Sequence, residues 1–170
     1  HLFVKEPGTP GSRVPWHQDQ PYCAVSGQQF CSTWVPLDPI PEETTVEFIL
    51  GSHRWQRWFA PFDAMRNGAV HGSQEFERVP DFEAERDSHN IASWTLEPGD
   101  CLVFHALSVH QGKPNLTTTT RRRAVIGRFL GDDAVYAKRD PLCEFPHNPP
   151  QLEDGEPLRN APDDFPLVWP

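Results

Sequence analysis

Long apolar runs are missing from this chain. No stretch approaches the roughly 20 apolar residues that a membrane-spanning helix needs, which excludes a bilayer-crossing helix. Basic charge is also scarce: 15 Lys and Arg stand against 24 Asp and Glu, a formal net charge of −9. Such a surface repels phosphate backbones and anionic lipid, so neither nucleic acid nor a membrane is an expected partner. Cys-x-x-Cys spacing is absent from the four cysteines, Cys23, Cys31, Cys101 and Cys143, which argues against a zinc ribbon. Cys31 and Cys101 lie in strand-like runs and read as buried thiols suited to a reducing cytoplasm. Helical periodicity is sparse, with a short helix expected only at 60–67, where Pro61 stands near the start. The opening His1-Leu2-Phe3-Val4-Lys5 has neither an initiator Met nor a signal pattern. It reads as a chain entered partway through a strand, with residues upstream absent.

Strand patterns fill much of the rest. Strands are expected at 1–5, 22–26, 29–36, 45–50, 91–97, 101–105 and 123–130. Phe30 to Leu37 alternates as a half-buried strand should, and Pro98-Gly99-Asp100 is a strong turn. Many short strands with turn punctuation point to a jelly-roll or barrel. At 170 residues the chain reads as one domain. The expected layout is a β core over 1–136, with 60–90 as an insertion or lid, and a Pro-rich tail over 137–170 that wraps the core in extended form.

Two groups almost a hundred positions apart carry the chemistry. The first is Trp16-His17-Gln18-Asp19; the second is His110-Gln111-Gly112, followed by Arg121-Arg122-Arg123. A single His-x-Asp is usually an accident. Joined to a distant His, it is the ligand set of a facial triad: two imidazoles and a carboxylate on one face of Fe(II), with three positions left open. Residues i and i+2 of a strand share a side, so His17 and Asp19 can reach one metal while Gln18 points away. An arginine about a dozen residues after His110 would lie on the next strand back, where a guanidinium fork could hold a dicarboxylate.

These segments resemble the phytanoyl-CoA dioxygenase family of Fe(II)/2-oxoglutarate-dependent oxygenases. The resemblance runs through Phe3-Val4-Lys5-x-Pro7-Gly8, Trp16-His17-Gln18-Asp19, Thr33-Trp34-Val35-Pro36-Leu37-Asp38, Gly51-Ser52-His53-Arg54, Pro98-Gly99-Asp100, His110-Gln111-Gly112 and Arg122-Arg123-Ala124-Val125, in order, over roughly residues 1–136. It implies a double-stranded β-helix of cupin-like type with few short helices, and an N-terminal segment of the family that is missing here. It implies iron held by His17, Asp19 and His110, with 2-oxoglutarate and O2 as co-reactants. Arg122 is the implied cosubstrate arginine, with Arg121 one position away in register. Trp34 and Gln18 are the implied neighbours of the cosubstrate. The implied reaction hydroxylates an unactivated C–H of a small molecule and releases succinate and CO2. Members that halogenate lack the carboxylate ligand, so Asp19 favours hydroxylation.

Two further charges bear on the substrate. Arg128 shares strand parity with Arg122 and is expected to face the cavity, unless it pairs with Asp132 or Asp133. Glu47 stands where many members carry small residues and is expected near the cavity, where with Arg128 it would suit a small polar substrate. Two other classes compete: a non-catalytic β-helix binding or sensor protein, and a cupin-like metalloenzyme without 2-oxoglutarate. The second usually uses more histidines and needs no cosubstrate arginine.

Overall fold

A computed structural model describes residues 1–63, 68–69, 76–139 and 150–169. The strands are β1 (Leu2–Lys5), β2 (Val14–His17), β3 (Val25–Ser26), β4 (Phe30–Pro36), β5 (Val46–Ile49), β6 (Phe62–Asp63), β7 (Gly68–Ala69), β8 (Ile91–Ser93), β9 (Leu102–His105), β10 (His110–Gly112), β11 (Arg122–Leu130) and β12 (Val135–Tyr136). Helical structure among the described residues is confined to short 3-10 turns, and none is long and apolar enough to cross a membrane. Two four-stranded antiparallel sheets carry the fold, ordered β1-β11-β4-β9 and β2-β10-β5-β8. Along the chain the strands of the two sheets alternate, except that β5 and β8 both lie in the second, which is the winding of a double-stranded β-helix.

The alternation of β4 explains its place. Phe30, Ser32, Trp34 and Pro36 are buried, while Cys31, Thr33 and Val35 are only partly covered. Trp34 packs with Ile40, Val46, Phe48, Leu96 and Ala124 in the space between the sheets. The far side of the first sheet stays open: Leu2, Val103, Val125 and Phe129 are exposed there. Cys101 is exposed too, and Cys31 is half-buried, so neither is the buried thiol expected. Cys143 lies outside the described residues.

Four segments depart from expectation. The strand expected at 22–26 shrinks to Val25–Ser26, because Gln20–Tyr22 forms a 3-10 turn around Pro21. Pro cannot donate to a ladder. The strand expected at 91–97 ends at Ser93. Of the helix expected at 60–67, Phe62–Asp63 is instead a strand paired with Gly68–Ala69, and 64–67 lies outside the described residues. The stretch 76–90 is anchored rather than a free lid: Phe82 is 2% exposed and packs with Trp16, Ile49, Phe59 and Val109. Burial of a Phe contributes roughly 1.5–3 kcal/mol. From the Pro-rich segment, Leu158 is buried against Ala24, Val25, Phe30 and Tyr136.

Candidate metal centre

His17 ends β2 and His110 begins β10, and the two are direct register partners. Their rings lie 4.1 Å apart, centroid to centroid. Each ring is fixed by the carbonyl two residues before it. His17 Nδ1 lies 2.8 Å from the Pro15 carbonyl, and His110 Nδ1 lies 2.9 Å from that of Ser108. A carbonyl only accepts, so each Nδ1 carries a hydrogen and each Nε2 is the atom left for the site. Both Nε2 atoms face one oxygen, Asp19 Oδ1, at 3.8 and 4.0 Å. Phe48 and Phe104 flank His110, with ring centroids at 5.5 and 4.8 Å.

Asp19 reaches this place by a route other than the expected strand alternation. The strand stops at His17, and Asp19 has right-handed helical backbone at the start of the following turn. The Ala106 carbonyl accepts from the backbone N–H of both Asp19 and Gln20, at 2.8 and 3.1 Å, which turns the carboxylate inward. Ser32 Oγ donates to Asp19 Oδ2 at 2.5 Å, leaving Oδ1 facing the imidazoles.

The electrostatics suit metal binding. Burial, helped by the neighbouring His110, holds the His17 imidazole at a pKa of about 4, so it is neutral at pH 7. Burial opposes the Asp19 charge, yet His110, Arg128, His17 and Ser32 together hold its carboxyl at about 2. The donor atoms of His17, Asp19 and His110 lie within 4.8 Å of one another. Two imidazoles anchored at Nδ1, with both Nε2 atoms turned toward one ionised carboxylate, fit a divalent ion in the facial arrangement.

A cavity of about 70 Å³ between the sheets holds the three donors together with Trp34, Arg122 and Arg128. Arg122 is 7% exposed; its Nη2 donates to the Lys113 carbonyl at 2.8 Å, and its Nη1 is buried with no hydrogen-bond partner. Burial lowers its pKa to about 10. Arg121 turns outward to Glu6, 3.0 Å away, so Arg122 is the arginine that faces the cavity. Arg128 does not pair with Asp132 or Asp133. Its Nη2 donates to Asp19 Oδ1 at 3.2 Å, and its Nε is buried without a partner.

Two expected site residues lie elsewhere. Gln18 is buried but points away from the cavity. Its amide donates to the carbonyls of Arg57 and Leu107, both at 3.0 Å, and accepts from Phe59 N–H at 2.9 Å. It pins a loop and does not line the cavity. Glu47 is on the opposite side of β5 from Val46, which lines the cavity. Arg86 holds its carboxylate at 2.8 and 3.1 Å, Lys113 stands at 3.3 Å, and Gln111 also donates to it. Burial opposes that charge, but these donors lower its pKa. The sequence reading overlooked two residues. Ser32 was legible as a buried position of β4, but its reach to Asp19 was not. Lys5 lines the cavity, on the strand face shared with Phe3.

The family model for phytanoyl-CoA dioxygenase matches residues 1–124. The chain belongs to the phytanoyl-CoA dioxygenase family. It is 26% identical over 145 residues to a probable phytanoyl-CoA dioxygenase of Caenorhabditis elegans, covering 78% of this chain and 42% of that protein. Two solved structures share the fold. One is the epimerase SnoN in complex with Fe3+, alpha ketoglutarate and nogalamycin RO, at TM-score 0.64 and 22% identity, covering 92% of this chain and 59% of that one. The other is the non-heme alpha ketoglutarate-dependent carbocyclase SnoK from nogalamycin biosynthesis, at TM-score 0.63 and 19% identity, covering 92% and 56%. The chain thus spans between two fifths and three fifths of the length of these relatives.

Proposed function

We propose that this chain is the core of an Fe(II)- and 2-oxoglutarate-dependent oxygenase that hydroxylates a C–H bond of a small molecule, releasing succinate and CO2. One observation carries the reading. His17, Asp19 and His110 converge in the same cavity as Arg122, a buried cation that no carboxylate among the described residues pairs with. Bound there, the iron would supply oxygen activation coupled to oxidation of the 2-oxo acid.

The residues around it divide the remaining work. His17 and His110 present their Nε2 atoms, with the rings fixed by Pro15 and Ser108. Ser32 orients Asp19. Arg122 offers Nη1 to the far carboxylate of 2-oxoglutarate, and Trp34 walls the space between. Arg128 is six residues along β11 from Arg122, so the two Cα atoms are roughly 20 Å apart. It therefore stands at the metal end of the cavity, where an anionic group on the substrate would meet it. Because Glu47 faces away, Arg128 is left without the second substrate-facing charge expected beside it.

Two measurements test the reading. Under anaerobic conditions, Fe(II) and 2-oxoglutarate together should give a charge-transfer absorption that neither gives alone. Arg122→Ala should weaken 2-oxoglutarate binding about 10- to 150-fold, the equivalent of roughly 1.5–3 kcal/mol, and leave Fe(II) affinity unchanged. Succinate formation across a panel of small acids, their amides, amines and acyl-CoA thioesters should favour the small acids. Turnover driven only by long-chain acyl-CoA would remove the small-anion reading. Absence of 2-oxoglutarate binding would remove the oxygenase reading itself.

A further inference from the structure

Lys5 is 8% exposed, and no carboxylate pairs with it among the described residues. Its ammonium donates to two backbone carbonyls of one strand end, Gly112 at 3.2 Å and Lys113 at 2.9 Å. An ammonium has three hydrogens, so one remains for the cavity that Lys5 lines. Arg122 is its register partner across β1 and β11. The Arg122 guanidinium donates to the same Lys113 carbonyl at 2.8 Å. Two buried cations therefore share one oxygen, and the second guanidinium nitrogen, Nη1, is buried without a partner.

Like charges held together out of water are costly unless an anion joins them. Burial, and after it the charge of Arg122, brings the Lys5 ammonium down to a pKa of about 7. Nearby carboxylates are spoken for: Glu6 pairs with Arg121, and Glu47 with Arg86 and Lys113. Gly112 leaves room for the arrangement. A Cβ there would lie 3.4 Å from Lys5 Nζ and 3.4 Å from Val14 Cβ, filling the gap between them.

We propose that Lys5 is a second binding residue for the far carboxylate of 2-oxoglutarate, forming with Arg122 a two-cation subsite. The proposal rests on the 2-oxoglutarate reading above and narrows it. A site of this kind discriminates sharply between a dicarboxylate and a 2-oxo acid without the distal charge, because only the former neutralises the pair.

The test is binding to the Fe(II)-loaded protein without oxygen, followed by charge-transfer absorption. The probes are 2-oxoglutarate and 2-oxopentanoate, which replaces the far carboxylate with a methyl group. Lys5→Met should weaken 2-oxoglutarate binding roughly ten- to a hundredfold, the range for a lost charged hydrogen bond, and leave 2-oxopentanoate binding unchanged. Lys5→Arg should retain most of the affinity. Lys5→Gln, which keeps a donor for the two carbonyls without the charge, should behave like Lys5→Met and serves as the uncharged variant if Lys5→Met does not fold. Wild-type affinity for 2-oxoglutarate in the uncharged variants would overturn the proposal while leaving the oxygenase reading intact. So would an equal loss for both probes, which marks a merely structural role. Failure of the wild-type protein to bind 2-oxoglutarate, with Fe(II) bound, overturns the oxygenase reading and the proposal with it.

Discussion

At the scale of single residues, the site is set by which atoms are left without partners. The His110 ring lies beside Phe48, Phe104 and His17 and is held at Nδ1 by the Ser108 carbonyl, while Nε2 faces Asp19. Truncation to His110→Ala removes one of three donors together with the ring's bond to the Ser108 carbonyl, and leaves the backbone ladder of β10 in place. Fe(II) binding measured by equilibrium dialysis should disappear, and turnover with it; full activity in that variant would sink the triad. Lys5 gives a pH signature. In the folded protein it loses its proton at about 7, against an ordinary value of 10.5. Between those values the unfolded chain binds more protons, so its contribution makes stability rise with pH from about 7 toward 10.5; below 7 both states hold the proton and the slope from Lys5 vanishes. The groups facing it are Arg122 and the carbonyls of Gly112 and Lys113, none of which titrates below about 10. Chemical denaturation of the apo protein at several pH values should show this slope in wild type and not in Lys5→Met. Identical slopes would remove the charge from the account.

At the scale of elements, β11 organises the site, since it pairs with both β1 and β4 and carries Arg122, Ala124, Ile126 and Arg128 into the cavity. Gly127 interrupts it on the other face. The Thr33 hydroxyl folds over the strand there, accepting from Gly127 N–H at 3.3 Å and lying 3.5 Å from its carbonyl. A Cβ at 127 would meet that hydroxyl oxygen at 2.8 Å and the Phe129 ring at 3.1 Å. Gly127→Ala should therefore cost roughly 1–3 kcal/mol by overpacking, read as a lowered denaturant midpoint. Adding Thr33→Ala should recover part of it, and strict additivity would mean the clash is not with Thr33. The alternation that made β4 and β11 legible in the sequence is the same signal that places Arg122 and Arg128 on one face. Strands of two or three residues gave no such signal. β2 has Pro15 in its middle, β10 is three residues long, and β12 is two. The ligand motifs were legible where these strands were not, because His-x-Asp is a chemical pattern and needs no periodicity. Glu47 was misplaced for a related reason: one residue of register decides the face, and a four-residue strand whose residues are all buried, as β5 is, does not reveal it.

At the scale of the whole molecule, the metal centre joins the two sheets. His17 and His110 belong to one sheet; Ser32 and Arg128, which hold Asp19, belong to the other. Both imidazole Nε2 atoms face the Asp19 carboxylate, and among the described residues no carboxylate pairs with Lys5 or Arg122. Ligands that bind only the folded state stabilise it by RT ln(1 + [L]/Kd), about 2.7 kcal/mol at a hundredfold excess over Kd. For a domain of 150–250 residues each kcal/mol shifts the midpoint by about 2–4 °C. Fe(II) at that excess should raise the unfolding temperature by roughly 5–10 °C under anaerobic conditions, and 2-oxoglutarate added afterwards should raise it again. The order matters, because the proposed 2-oxoglutarate site would be held jointly by the metal-binding residues and by Arg122. The second increment should shrink in Arg122→Ala with the first unchanged, and both should vanish in His110→Ala. A metal increment that survives in His110→Ala would show that the stabilising ion sits elsewhere, and the two sheets would then be held by packing alone.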